Sequence, residues 1–309
     1  MRVIPAFLQP YLVWFLPAKW RLERGWRTWD RIVIPEVRRR LEEEDFDPTT
    51  RGDLMSWMIH DAKTSTERDE RVLTHLSAAV IAGATYSTAN LTAQALMDIL
   101  AHPATLEVLR EELREKHDEV GGQWDMAALD SLYKLESALK ESSRLAPGAM
   151  FVYQRSVERD VTLPGGVPVK RGQFITTMSQ EASMAYNHNH RTNNKETSSQ
   201  EQGQGQGSNF HDFDGLRLYN ENLERHKLHP FRGLDGDILT WGSGRWACPG
   251  RIVANVMIKI LMVKLIDEYD ISFVNGQKPN IIRIHEFLML NPMARVHVRR
   301  REESLGIQF

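Results

Sequence analysis

The sequence predicts a mainly α-helical fold with a minor β-sheet, arranged as one domain. Two observations carry this. Stretches at 18–44, 67–101, 103–116, 126–145 and 249–268 space their apolar residues at the helical period. Residues 150–180, and the chain from 270 onward, instead alternate in short runs broken by turn residues, the pattern of small strands.

Taken in order, residues 3–17 (VIPAFLQPYLVWFLP) are apolar but only fifteen long, too few to span a bilayer, and Pro5, Pro10 and Pro17 would interrupt a helix. No small-residue cleavage site follows, so an interfacial or core-packed segment is expected, without a clear anchor. Residues 18–44 place Trp20, Trp26, Trp29, Val33, Val37 and Leu41 on a helical period, and Pro35 signals a break or kink. A loop at 45–53 precedes a short helix near 53–63. The stretch 67–101 would make a helix of about 50 Å at 1.5 Å per residue. Its middle, Ser77 to Ala84, is apolar on all sides and is expected to be buried on every face. Pro103 suits the first position of the next helix, which runs to about Lys116. A further helix covers about 126–145 and ends before Pro147. Pro164-Gly165-Gly166 signals a hairpin within 150–180. Residues 187–209 are polar, low-complexity sequence and read as a disordered loop. His188 and His190 within it lack Cys or carboxylate partners at ligand spacing, which argues against a metal site. No internal repeat is apparent.

Composition narrows the function. The 309 residues are 41% hydrophobic and 26% charged, with a net charge of -2, so no basic field directs the chain to nucleic acid. The runs Arg38-Arg39-Arg40 and Arg299-Arg300-Arg301 are each followed by glutamates and read as solvated faces. One cysteine excludes an internal disulfide.

That cysteine lies in Trp241–Gly250, WGSGRWACPG, which leads into the apolar RIVANVMIKILMVKLI. Gly242 and Gly244 allow a tight backbone close to something flat and bulky. Cys248 falls at the N-cap of the helix with Pro249 in its first turn. Thiolate is the form of cysteine that binds metals, and a helix N-terminus favours that anion. The alternative is a capped structural cysteine in a glycine-rich turn. The segment resembles the heme-binding loop of the cytochrome P-450 family, F-x-x-G-x-x-x-C-x-G. Gly244, Cys248 and Gly250 match, with Pro249 and Arg251 in support, and Trp241 stands where Phe is usual. Where the family has an Arg or His that pairs with a heme propionate, this chain has Trp246, which keeps one N–H donor but no charge. Arg245 beside it is a candidate to compensate.

Two further motifs extend the resemblance. Glu141 and Arg144 in KESSRLAP are similar to the family's E-x-x-R helix, and FDGLRLY at 213–219 to the later loop that completes the triad, which makes Arg217 its third member. By spacing alone, Glu141 and Arg144 would be an ordinary pair on one helix face. The 67–101 helix resembles the family's oxygen-activating helix. Its motif falls on Gly83-Ala84-Thr85-Tyr86-Ser87-Thr88, with Ala84 lining the groove, Tyr86 replacing the acid and Ser87 the first threonine. Ser87 keeps a hydroxyl for proton delivery, whereas a phenol is a poor proton source near neutral pH. Met150 and Phe151 lie where the family places a substrate-contacting turn, and Arg155 where some members bind a propionate.

The resemblance implies a P-450 fold carrying heme b, with Cys248 as axial ligand, electrons from an NADPH-dependent reductase, and oxygen from dioxygen inserted into a small apolar substrate. The style resembles fungal microsomal and secondary-metabolite members, terpenoid oxidases among them. It implies an endoplasmic reticulum membrane location for a full-length protein. The match runs from the family's F–G region to its C-terminus, so residues 1–309 are expected to be the C-terminal two-thirds of the domain, N-terminally truncated, with 187–209 as an insertion. Two other readings stay open: a P-450-fold isomerase or dehydratase that never activates dioxygen, suggested by Tyr86 and Ser87, and an inactive truncated relic.

Overall fold

The computed structural model describes residues 5, 7–43, 47–183, 212–225, 230–234 and 238–309. The low-complexity segment with His188 and His190 lies outside them. The chain divides into two compact units, Met1–Thr85 and Tyr86–Phe309, and the boundary falls within a single helix.

The first unit holds α1 (Gln9–Leu12), a 3-10 turn (Val13–Phe15), α2 (Pro17–Leu41), α3 (Pro48–Arg51), α4 (Leu54–Asp61) and the start of α5 (Glu70–Leu100). Pro17 opens α2 where its missing N–H costs nothing, and Arg38, Arg39 and Arg40 close it against the negative end of its dipole. The helix continues through Pro35, so the expected break is not there. Ion pairs across the following turn help hold it: Glu36 bonds both Arg39, at 2.7 Å, and Arg40, at 2.6 Å. Those guanidiniums pull the Glu36 carboxyl down to about 2. Asp47 and Asp53 cap α3 and α4 by accepting from Thr49 and Ser56 N–H groups. Val37, Ile59 and Leu73 form a small buried core. Phe7, Tyr11, Trp14 and Phe15 stand exposed, so these described residues of the 3–17 segment do not pack in a core. Among the described residues no helix is long and apolar enough to cross a membrane.

The middle of α5 corrects a further expectation. Ser77 is buried, but Ala79 to Ser87 are exposed, Ile81 to 47% and Tyr86 to 50%. All-round apolar character states what a helix needs as cover; it does not ensure that these residues supply that cover.

The second unit contains the rest of α5, then α6 (Pro103–Glu119), α7 (Met126–Asp130), α8 (Tyr133–Leu145), α9 (Arg217–Arg225) and α10 (Arg251–Glu268). The single helix expected over 126–145 is two. The Ser131 N–H and hydroxyl turn back to the carbonyls of Ala127 and Ala128 and close α7. The free N–H groups of Lys134 and Leu135 at the start of α8 are then taken by the Glu112 carboxylate, at 2.6 and 2.9 Å. A side chain from another helix thus replaces the missing turn. Ile99, Leu109, Leu129, Leu132, Leu135, Leu139, Ile258 and Met262 make the main core, each contributing roughly 1.5–3 kcal/mol by burial. Within it, buried Asp98 of α5 accepts from Ser142 of α8 and Gln94 and pairs with Lys278, tying three segments together.

Among the described residues the minor β-structure expected takes the form of four two-stranded antiparallel ladders. β1 (Phe151–Ser156) pairs β4 (Phe174–Met178), and β2 (Val161–Thr162) pairs β3 (Pro168–Val169) around the Pro164-Gly165-Gly166 turn. Gly165 and Gly166 adopt φ of 87° and 81°, as that turn signal demands. β5 (Tyr269–Phe273) pairs β8 (Val296–Arg300), enclosing the hairpin of β6 (Ile281–Ile284) and β7 (Phe287–Leu290).

Candidate functional site

The cysteine loop is attached to the core through Trp241, and Cys248 packs against the same cluster. Trp241 is buried, its indole Nε1 donates to the Phe231 carbonyl at 2.7 Å, and the two rings meet edge-on at 5.3 Å. From there Gly242 (φ 72°) turns the chain and Gly244 (φ 59°) opens a 3-10 turn, Gly244–Trp246. The Cys248 N–H then donates to the Trp241 carbonyl at 2.7 Å, closing the loop on itself. A Cβ at Gly242 would approach the Trp246 carbonyl oxygen to 3.3 Å, whereas at Gly244 it would meet nothing within 4 Å. One glycine is required by the loop's own packing. The other faces open space.

Cys248 is half-buried and carries a free thiol. The helix cap is Gly250, so the cysteine sits two residues before it and not at the N-cap as expected. The reason is that Pro249 and Gly250 form a turn of their own, and the first helical bond runs from Ala254 to the Gly250 carbonyl, at 2.8 Å. The sulfur nevertheless stays by the helix entrance: a Cβ on Gly250 would lie 3.9 Å from it.

Trp246 is exposed, and two guanidiniums approach its ring, Arg245 at 4.9 Å and Arg155 at 5.3 Å from the centroid. Sequence placed Arg155 and Arg245 at one surface only through resemblance, and the structure brings both to the same indole. Arg155 follows a bulge in the β1–β4 ladder at which Tyr153 takes a φ of 55°. Buried hydroxyls at Tyr153 and Thr240 have no hydrogen-bond partner among the described residues. A thiol, an open glycine face and two positive groups suit a flat macrocycle carrying a soft-ligand metal and carboxylates. The residues fit heme.

Glu141, Arg144 and Arg217 meet within the second unit. Arg144 donates to both Glu141 oxygens, at 2.7 and 2.9 Å, and Arg217 Nε to Oε1 at 3.0 Å. Glu141 and Arg144 are fully buried, and the Asp214 N–H adds a further donor at 3.3 Å. Arg217 also reaches the Asp212 carbonyl, at 3.2 Å, while Ser137 on α8 accepts from the Tyr219 N–H, at 3.0 Å. The start of α9 is thereby fastened to α8.

Tyr86, Ser87 and Thr88 occupy successive positions of α5 just after the unit boundary, and Ala84 just before it. Met150 and Phe151 join two ladders: the Met150 N–H donates to the Glu286 carbonyl at 2.7 Å, and Phe151 is paired with Met178. Among the described residues no cluster of three or more His, Cys, Asp or Glu forms a metal site.

Sequence reasoning passed over Lys259, Asp130 and Arg232. Lys259 is fully buried on α10, where its Nζ donates to Glu136 at 2.5 Å and to the Leu129 carbonyl at 2.9 Å. Asp130 bonds Arg232 at 2.6 Å. A lysine amid apolar helical neighbours was the available signal, since a charge on a core face must find a partner.

The family model for cytochrome P-450 matches residues 4–188, which include Glu141 and Arg144 and stop short of Cys248. A cytochrome P-450 monooxygenase of Emericella nidulans is 30% identical over 97% of this chain and 54% of its own length. The monooxygenase olcJ of Penicillium canescens is 30% identical over 98% of the chain and 54% of its own. The dihydro-ML-236C monooxygenase mlcC of Penicillium citrinum is 28% identical over 99% of the chain and 56% of its own. The chain thus spans about half the length of the curated relatives it matches.

Proposed function

Because this chain belongs to the cytochrome P-450 family, we propose that it is the iron-ligating portion of a heme-thiolate monooxygenase acting on a small apolar molecule. The observation that carries this is the closed Trp241–Cys248 loop, which presents the only sulfur of a cysteine in the chain beside a helix entrance.

In this reading Cys248 Sγ would hold the heme iron, and Gly244, with no side chain on its open face, would leave room for the macrocycle. Gly250 keeps the space beside the sulfur clear. Trp241 holds the loop against the core, and Arg245, Arg155 and the Trp246 indole N–H receive the propionates. Glu141, Arg144 and Arg217 fasten the start of α9 to α8, which is work suited to a buried ionic group. Heme b, when bound, supplies dioxygen activation strengthened by thiolate donation. Ser87 and Thr88 hold hydroxyls for proton delivery, with Tyr86 beside them, and Met150 and Phe151 bound the substrate space. The electron donor is an NADPH-dependent reductase, and the full-length protein works at the endoplasmic reticulum membrane. Fungal relatives support a secondary metabolite as substrate, and a terpenoid is proposed on the resemblance of the sequence alone. Residues 1–309 are read as part of one P-450 domain, with 187–209 inserted in it.

Turnover of a terpenoid panel with hemin, reductase, NADPH and isotopically labelled dioxygen tests this. Label in the product is expected. Product formed without label would favour the isomerase or dehydratase reading, for which Tyr86 in place of an acid is the motive.

A further inference from the structure

Asp130 ends α7, outside every motif named above, yet it stands where both strands of chain serving the cysteine are fastened. On the entering side, Arg232 Nη1 donates to Asp130 Oδ1 at 2.6 Å. The neighbouring Phe231 carbonyl accepts from Trp241, and the Trp241 carbonyl accepts from the Cys248 N–H. On the leaving side, α10 carries Lys259, whose buried Nζ lies 3.8 Å from the same Asp130 oxygen. Lys259 keeps Glu136 and the Leu129 carbonyl as nearer partners, so Asp130 completes an ionic joint without being its sole support.

We propose that Asp130 is a positioning residue for Cys248, joining through Arg232 and Lys259 the segments that enter and leave the ligand loop. The inference deepens the heme-thiolate reading and rests on it for its meaning, but its geometry belongs to the protein alone. One carboxylate that accepts a charge-assisted bond from the entering segment and lies within ion-pair reach of the leaving one opposes their separation. Removing the carboxylate frees Arg232 first, because Lys259 retains other acceptors. The segment carrying Phe231 then loosens, and with it the Trp241 anchor on which the Cys248 N–H closes.

A single cysteine gives a test that needs no heme. In the heme-free chain, modification of Cys248 by a small aromatic disulfide reports how often the loop opens. Asp130→Asn is expected to speed modification on the order of tenfold, the loss of one charge-assisted bond. Arg232→Met, which leaves the Lys259–Glu136 pair intact, should do the same, and serves if Asp130→Asn fails to fold. The double variant should react no faster than Asp130→Asn alone, because the arginine acts through the carboxylate. Single-variant rates indistinguishable from the parent's, or a double variant whose effects multiply, would overturn the proposal. The parent's hemin-loaded carbon-monoxide spectrum, recorded separately, decides the heme-thiolate reading without touching this result.

Discussion

At the scale of residues, the site consists of a few side chains whose removal leaves something charged or crowded behind. Glu141 is fully buried and bonds two arginines, so Glu141→Gln would remove a buried carboxylate charge that both guanidiniums share. A loss of about 3–5 kcal/mol is expected, measured by denaturant unfolding. Gly242→Ala is smaller but closer to the chemistry: a φ of 72° strains any side chain, and the new Cβ meets the Trp246 carbonyl at 3.3 Å. It should cost about 1–3 kcal/mol and lower heme uptake, both readable in one thermal and spectral titration. Gly244→Ala shares the strain without the contact, so its larger effect should fall on heme uptake. These residues were legible in sequence because they sit at fixed spacings within short motifs. Lys259, Arg232 and Asp130 were not, because their partners lie on other elements and no local spacing joins them.

At the scale of elements, helix ends decide more than helix interiors. The start of α8 depends on Glu112, whose carboxyl is pushed up to about 7 by burial, against the two backbone N–H groups it accepts and the charges of Lys134 and Lys259. A folded value above the ordinary 4.5 means that the folded chain holds this proton more tightly than the unfolded one. Its contribution to stability is full below about pH 4.5 and is lost as pH rises through 7, on the order of 3 kcal/mol. Unfolding followed between those limits should show that decline, and Glu112→Gln should flatten it. An unchanged pH slope in the variant would count against this role. The periodicity of the sequence revealed the long helices almost to their ends. It could not show that 126–145 is two helices, since the capping group arrives from α6, nor that α2 runs through Pro35 with ion pairs on the following turn. The placement of Cys248 ahead of the cap has a similar cause, because a Pro-Gly pair can begin a helix or precede it.

At the scale of the molecule, apolar surface is what remains unmatched. Ile81 on α5 and Ile252, Val253, Met257 and Leu261 on α10 are exposed, on helices whose composition calls for cover. The chain should therefore self-associate as its concentration rises, and Val253→Lys with Met257→Lys should reduce this in sedimentation. A parent that stays monodisperse would contradict the expectation. The helical class with small ladders was legible throughout, because it follows from period and turn chemistry. Burial of α5 was not, because periodicity states what a surface requires and not what meets it.

The central claim is that the Cys248 sulfur binds heme iron. Parent and Cys248→Ser chains should be loaded with hemin, reduced, exposed to carbon monoxide and compared by absorbance. The parent is predicted to show the red-shifted Soret band of thiolate ligation, and the serine variant to lose it. The same band in both chains would contradict the account.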